Sequence, residues 1–299
     1  MFENRPTHYR IIALVTVFNR QLVTNQFLNS FFSMSLPGNI NIELGIIDDG
    51  STDGTDEMLK KDFPDVKVMR TKGNYYWAGG MRLAYESFAS ANAFDYILAL
   101  NDDVILRKEA IAEAFRYIQD AGLKPEDLFA LALSVIDPHT KSISYGGFKL
   151  ISKVAGMRFE LINPCSNLKA CDTLNMNIAL ISSGAIKKIG FLSKEFTHHR
   201  ADIDYGLRLS KVGGSIFVLP GIYGECSNPP RISSQLIDMS VRDRFRLLIS
   251  KKESPPKERL IFYWRHGGPF WFLPFIAPYI TTFFPRLNAF LRSGKRQII

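Results

Sequence analysis

The chain has 299 residues, 46% hydrophobic and 22% charged, ordinary values for a core-forming protein that exclude disorder as the default and allow one large α/β domain or two small ones. The formal net charge is +8, yet from Val241 onward 12 Arg and Lys stand against 3 Asp and Glu. Residues 1–240 are therefore near neutral, which excludes a nucleic-acid-binding surface spread over the main body. Cys165, Cys171 and Cys226 match no zinc spacing and read as reduced thiols of a cytoplasmic protein. The first eight residues are polar, with no apolar core of signal-peptide length.

In chain order, Arg10 to Phe18 is a β-favouring run, and Gln21 to Phe32 follows as a helical pattern with Asn19 as the expected N-cap. A second strand, Ile40 to Ile47, ends in the turn-rich Asp48-Asp-Gly-Ser-Thr-Asp-Gly-Thr55 before a helix from about Asp56 to Lys61. A third strand, Val66 to Met69, leads through Asn74-Tyr-Tyr-Trp-Ala-Gly-Gly80 into a helix expected over Leu83 to Ala91. Gly79 and Gly80 then sit at the helix start, where free backbone N–H groups accept an anion such as a diphosphate. This alternation is the βαβ rhythm of a nucleotide-binding half.

The fourth strand, Tyr96 to Leu100, is apolar on both faces and ends abruptly in Asn101, Asp102 and Asp103. Ligands of open α/β sheets gather outside the carboxyl ends of the strands, and carboxylates there bind hard divalent cations. The same three residues also read as a solvated turn. Beyond them come a helix from Glu109 to Ala121 and strands over Leu128–Ile136, Ile143–Phe148 and Thr173–Ser182. A helix then starts near Ala201 with Asp202 in its first turn, before a last core strand over Gly214–Gly221. Arg208 pairs with Asp204 at i, i+4 within that helix. Trp77, with Tyr75 and Tyr76, serves either as a stacking surface or as a core anchor, and His198 and His199 either touch a diphosphate or form a surface pair.

From about Ser227 the pattern changes to a basic helix around Asp238 to Ser250, a Pro- and Lys-rich hinge, and an aromatic segment between His266 and Arg286 without a charged residue. Prolines interrupt that segment, so an interfacial stretch fits it better than a spanning one. Docking on an anionic membrane and homo-oligomer packing through the same aromatics are both open.

Val15-Thr-Val-Phe-Asn-Arg20, Ile47-Asp-Asp-Gly-Ser-Thr-Asp-Gly-Thr55 and Leu100-Asn-Asp-Asp-Val104 occur in this order. With them the chain resembles the family 2 glycosyltransferases of the GT-A fold, in particular bacterial rhamnosyltransferase-like members, over residues 10–225. The resemblance implies an α/β fold in which a Rossmann-like nucleotide-binding half merges with a mixed-sheet acceptor half. The expected division is a GT-A domain over 1–228 and a helical, aromatic-rich extension over 229–299. It further implies an inverting transfer from a UDP- or dTDP-type sugar donor to a glycan or lipid-linked acceptor in bacterial surface polysaccharide synthesis. Such a protein works in the cytoplasm, at the cytoplasmic face of the inner membrane.

On the same resemblance Thr16, Phe18, Arg20, Asp48, Asp49, Asn74, Trp77, Gly79, Gly80 and Asp102 form the donor-binding set. Asp103 is the ligand for Mg²⁺ or Mn²⁺, and Asn101, standing where the family has the first Asp of Asp-x-Asp, is a second candidate ligand. Asp202 is the base, with Ala201 where the family has Glu, and Asp204 is the fallback base. The rival readings are a non-catalytic sugar-nucleotide or glycan-binding scaffold and a nucleotidyltransferase, which usually carries a glycine-rich first loop that Phe18-Asn-Arg-Gln21 lacks.

Overall fold

The computed structural model describes residues 8–153, 157–228, 239–250 and 255–283. Its first half follows the βαβ reading closely. Strands β1 (Tyr9–Val17), β2 (Ile40–Asp48), β3 (Lys67–Arg70) and β4 (Tyr96–Leu100) run parallel in the order β3-β2-β1-β4. Helices α1 (Gln21–Phe32), α2 (Thr55–Asp62) and α3 (Tyr76–Ala84) make the crossovers, α3 continuing as a π-helical turn over Tyr85–Ala89. Along β1, Ile12 and Leu14 enter one core, whereas Ile11, Ala13, Val15 and Val17 enter the other. A strand buried on both faces cannot alternate polar and apolar residues, which is why these runs are continuously apolar. The π turn aims the Phe88 ring at Gly45 of β2, where a Cβ would overlap the ring.

The second half adds β5 (Ile105–Leu106), α4 (Ala110–Asp120), β6 (Phe129–Ala132), β7 (Val135–Ile136), β8 (Ile143–Tyr145), β9 (Gly147–Ser152), β10 (Arg158–Leu161), β11 (Lys169–Cys171) and β12 (Thr173–Leu174). Then follow β13 (Ile178–Ser182), α5 (Ser183–Ile189), α6 (Ala201–Lys211), β14 (Ser215–Val218) and β15 (Gly224–Glu225). The main sheet is eight-stranded, β11-β14-β6-β13-β4-β1-β2-β3, with β13 antiparallel to both β4 and β6. Two small sheets, β10-β9-β12 and β5-β15-β7-β8, lie beside it. The runs expected as single strands over Leu128–Ile136 and Thr173–Ser182 are each broken in two, because β7 and β12 leave the main sheet for the small ones.

Two helix starts differ from expectation. Arg20, not Asn19, is the N-cap of α1, and the first N–H, from Gln21, bonds Asp53 Oδ2 at 2.9 Å. Asn19 instead adopts φ +50° and accepts from the Thr52 N–H at 2.7 Å, tying the β1 and β2 loops together. Helix α3 begins seven residues before Leu83, at Tyr76. Gly79 and Gly80 are therefore buried inside it and not at its open end.

After residue 228 the described chain forms α7 (Val241–Leu248), α8 (Pro256–His266), a 3₁₀ turn over Gly268–Phe270, and α9 (Phe272–Phe283). Asp238, at the edge of the expected basic helix, and residues 284–286 of the aromatic segment lie outside the described residues. Helix α8 arises inside the stretch read as a hinge, with Pro255 and Pro256 at its start, where a missing N–H costs nothing. It buries Phe262 and Tyr263 in the core that also holds Phe196, Ile203 and Leu207. No helix among the described residues is long and apolar enough to cross a membrane.

Candidate active site

The strand order reverses at β1, whose neighbours β2 and β4 are reached by opposite turns of the chain. Ligands bind at such a switch point because the two flanking crossovers diverge and leave a crevice at the strand ends. Arg20 leaves β1 there and Asn101-Asp102-Asp103 leave β4. The Arg20 Nη1 bridges both acids, at 3.0 Å from Asp102 Oδ1 and 2.9 Å from Asp103 Oδ2. Burial works against the Arg20 charge, but Asp102 and Asp103 outweigh it and hold the guanidinium above its ordinary value.

The two acids differ in setting. Asp102 is buried and takes a further hydrogen bond from Thr24 Oγ1 at 3.3 Å. Burial pushes its carboxyl up to about 6; Arg20 opposes the shift and the Asp103 charge adds to it. Asp103 is partly exposed, and its other oxygen accepts from the buried Cys226 Sγ at 3.4 Å. The small sheet explains that contact: β5 follows Asp103, and β15, its antiparallel partner, precedes Cys226. Asn101 Oδ1 accepts from the Trp77 indole Nε1 at 2.8 Å.

The start of α3 is closed to an anion by the protein itself. A helix leaves its first N–H groups without intrahelical partners, and here each finds a tertiary acceptor. Tyr75 and Tyr76 N–H donate to Asp49 Oδ2 at 3.0 and 2.9 Å, Trp77 N–H to His198 Nδ1 at 3.4 Å, and Ala78 and Gly79 N–H to Thr197 O at 3.0 and 3.3 Å. The expectation of free N–H groups at Gly79 and Gly80 is thereby corrected. Asp49 also accepts from Thr71 Oγ1 at 2.8 Å, and its negative charge suits the helix N-terminus. Asp48 is fully buried, with Oδ1 held by the Ser51 N–H at 2.9 Å. Of the donor set, Phe18, Arg20 and Asn74 are exposed, Thr16 and Trp77 are half-buried, and Asp48, Asp49, Gly79, Gly80 and Asp102 are buried; the candidate ligand Asn101 is half-buried.

Asp202 lies in the first turn of α6. Asp202 Oδ2 accepts from Asn175 Nδ2 at 2.9 Å and its Oδ1 from the Ile203 N–H at 2.8 Å. Desolvation by burial raises its pKa above the ordinary value, and the Asn175 hydrogen bond pulls the other way. The Asn175 N–H in turn bonds Gly146 O at 2.8 Å, next to Tyr145. The Tyr145 phenol is pushed up by burial and by the charges of Cys226, Asp103 and Asp202. The Tyr145 phenol thus feels the charges of both Asp103 and Asp202.

Asp204, the fallback base, is corrected by its surroundings. It is fully buried, and Arg208 Nε, Arg265 Nη1 and His266 Nε2 each lie 2.8 Å from its oxygens. Burial alone would raise its pKa, but the His266 hydrogen bond and the Arg208 and Arg265 contacts hold it below the usual carboxylate range. A carboxylate saturated by three donors and shut from solvent cannot collect a substrate proton. The i, i+4 pair with Arg208 stands as expected, as one arm of this larger cluster.

Residues 12–124 match the model of glycosyl transferase family 2. Over most of its length the chain is similar in fold to solved glycosyltransferases. Mannosyltransferase PcManGT from Pyrobaculum calidifontis, in complex with GDP-Man and Mn²⁺, aligns with a TM-score of 0.55 at 13% identity, covering 98% of this chain and 77% of its own. S. aureus TarS aligns with a TM-score of 0.53 at 16% identity, covering 85% of this chain, which spans only 42% of the TarS chain. TarS 1-349 gives 0.54 at 15% identity, covering 96% and 75%. At these identities the likeness carries the fold, which is GT-A-like. No curated protein sequence matches the chain.

The family 2 segment ends before Asp202, so the acceptor side rests on geometry alone. A divalent cation such as Mg²⁺ uses one or two carboxylates plus substrate phosphates. Among the described residues no group of three His, Cys, Asp or Glu side chains could hold a metal by itself. Asp103 is the part-exposed carboxylate of the corner, its oxygens accepting from Arg20 and Cys226, and Asn101 Oδ1 accepts from Trp77. This donor set fits a cation that arrives with its own phosphate oxygens and does not form a closed protein cage.

Several residues of the site carry no motif signal: Asn175, His198 as the Trp77 partner, Cys226, Tyr145, and the α8 residues Arg265 and His266. The Asn-Met-Asn run at 175–177 following β12 is the one visible hint.

Proposed function

We propose that this protein is an inverting glycosyltransferase of family 2, moving a sugar from a nucleotide-diphospho-sugar to a hydroxyl of a glycan or lipid-linked acceptor. The observation that carries the reading is the paired corner of Arg20, Asp102 and Asp103 at the β1–β4 switch point, with the Tyr145 phenol feeling the charges of both Asp103 and Asp202. In one displacement the acceptor oxygen bonds the anomeric carbon as the bond to the diphosphate oxygen breaks with its electron pair. Attack opposite the leaving group inverts that carbon. Asp202 takes the acceptor proton, and desolvation, which raises its pKa, strengthens it as a base. Arg20 supplies a fixed positive charge where diphosphate charge develops. Asp103 would hold Mg²⁺ or Mn²⁺, which supplies Lewis-acid stabilisation of the leaving diphosphate. Phe18 and Trp77 offer ring faces to base or sugar.

UDP and dTDP are the donor types proposed, rhamnose among the sugars, with surface polysaccharide assembly at the cytoplasmic face of the inner membrane as the setting. A thermal-shift panel of UDP, dTDP, GDP and CMP with and without Mn²⁺ identifies the nucleotide, since a ligand at 100 times its dissociation constant adds about 2.7 kcal/mol. With the matching donor, Asp202→Asn is expected to lower kcat by about 10²–10⁴-fold with donor binding intact, and Asp103→Ala to abolish the Mn²⁺ effect on the shift. Turnover at the wild-type rate in both variants would overturn these two roles, whereas nucleotide-sugar binding by the wild type without turnover would favour the binding-scaffold reading.

A further inference from the structure

We infer that α7–α9 form a docking surface for an anionic lipid bilayer, with the outer face of α9 lying in the interface. In α9, Phe272, Leu273, Ile276, Ala277, Ile280 and Phe283 are all exposed, the five large ones by 43–58%. At 100° per residue they fall within an arc of about 140°. No charged or hydrogen-bonding side chain interrupts that arc. The opposite side of the helix is spent on the protein: Thr282 O accepts from Arg244 Nη1 at 2.8 Å, and the Arg259 guanidinium lies 5.4 Å from the centre of the Tyr279 ring. On α8 the neighbouring Trp264 is 68% exposed.

Charge selects the occupant. Helix α7 turns Val241, Phe245 and Ile249 outward at i, i+4 and i+8, with Arg242 and Arg246 exposed among them. Of the 12 Arg and Lys from Val241 on, six lie among the described residues; Arg242, Arg246 and Lys257 are exposed, and none of the six lies on α9. An apolar, aromatic stripe beside basic residues suits anionic headgroups over acyl chains. A second copy would bring the same positive flank against itself in a two-fold contact. Since no described helix is long and apolar enough to span, the mode is interfacial. Through Arg265 and His266 this surface is fixed to α6, the helix that bears Asp202.

The experiment is co-sedimentation of the full chain with phosphatidylcholine vesicles, with and without one quarter phosphatidylglycerol, at low and high salt. Wild type is expected on the anionic vesicles alone and less so in high salt. The double variant Ile276→Glu/Ile280→Glu, with an unchanged thermal melt, is expected to partition at least about tenfold less, and Arg242→Glu/Arg246→Glu to lose the preference for anionic lipid. Equal partitioning of wild type and Ile276→Glu/Ile280→Glu, or no sedimentation of wild type with either vesicle, overturns the inference. So does a wild-type dimer in light scattering that becomes a monomer in Ile276→Glu/Ile280→Glu without vesicle binding, because a second copy then covers the face. Nucleotide thermal shifts are read separately, so this surface and the transfer reading stand or fall independently.

Discussion

Asp102 keeps a carboxylate where burial opposes its charge, and Arg20 offsets that opposition only in part. Its folded-state pKa of about 6 exceeds the ordinary value of 3.8, so the native state binds the proton more tightly than the unfolded chain. The stability this group contributes is complete below pH 3.8 and is lost as pH rises through 6. A difference of that size between folded and unfolded chain corresponds to roughly 3 kcal/mol. Asp102→Asn removes the titration, so its stability relative to wild type is expected to improve by up to that amount between pH 4 and pH 7 in paired urea melts. A constant difference across that range would refute the assignment. Asp103, Asp202 and Trp77 can be named as candidates from the sequence because each sits in a short motif at a strand or helix end. Their partners cannot: His198 lies 121 positions from Trp77 and Cys226 123 from Asp103, and nothing local marks a contact that only the fold creates.

Helix α3 shows where local reading fails. Tyr75, Tyr76 and Trp77 are weak helix formers, so the sequence points to a later start. What starts the helix is Asp49, 26 positions upstream of Tyr75, receiving its first N–H groups. The two glycines then differ in purpose. A Cβ on Gly80 would overlap Thr16 Oγ1 of β1, whereas one on Gly79 would meet nothing nearer than Tyr75 Cβ at 3.4 Å. Gly80→Ala is expected to cost about 1–3 kcal/mol through overpacking of α3 on β1. Gly79→Ala is expected to be neutral or to stabilise by up to about 1 kcal/mol through helix propensity. Thermal melts of the pair test this, and equal losses would sink it.

At the scale of the molecule, Asp204 binds the last described helices to the sheet. Its oxygens collect Arg208 from its own helix and Arg265 and His266 from α8, while Glu258 Oε1 of α8 accepts from Thr197 Oγ1 at 2.6 Å. Asp204→Ala leaves buried cationic groups without a counter-charge and is expected to destabilise the whole chain by roughly 3–5 kcal/mol in one cooperative transition. Loss of α8 alone, with the sheet intact, would contradict it. Because the Asp204 pKa is lowered, its contribution is present above the unfolded value and fades as pH falls through the folded one. The layered α/β plan was readable from strand and helix periodicity, but α8 was hidden in a run of Lys, Glu and Pro whose burial no local pattern announces.

Strand β13 has a bearing on how the protein is made. Its residues pair Leu100 through Tyr96 on one side and Ala132 through Ala130 on the other. While the ribosome is still short of Ser182, β4 has β1 along one edge and nothing along the other. That bare edge belongs to Tyr-Ile-Leu-Ala-Leu, an apolar strand without a charge to deter a neighbouring nascent chain. The nucleotide-binding half therefore cannot finish folding as an early, separate unit during synthesis, and the interval before β13 emerges is when this chain depends most on chaperone cover.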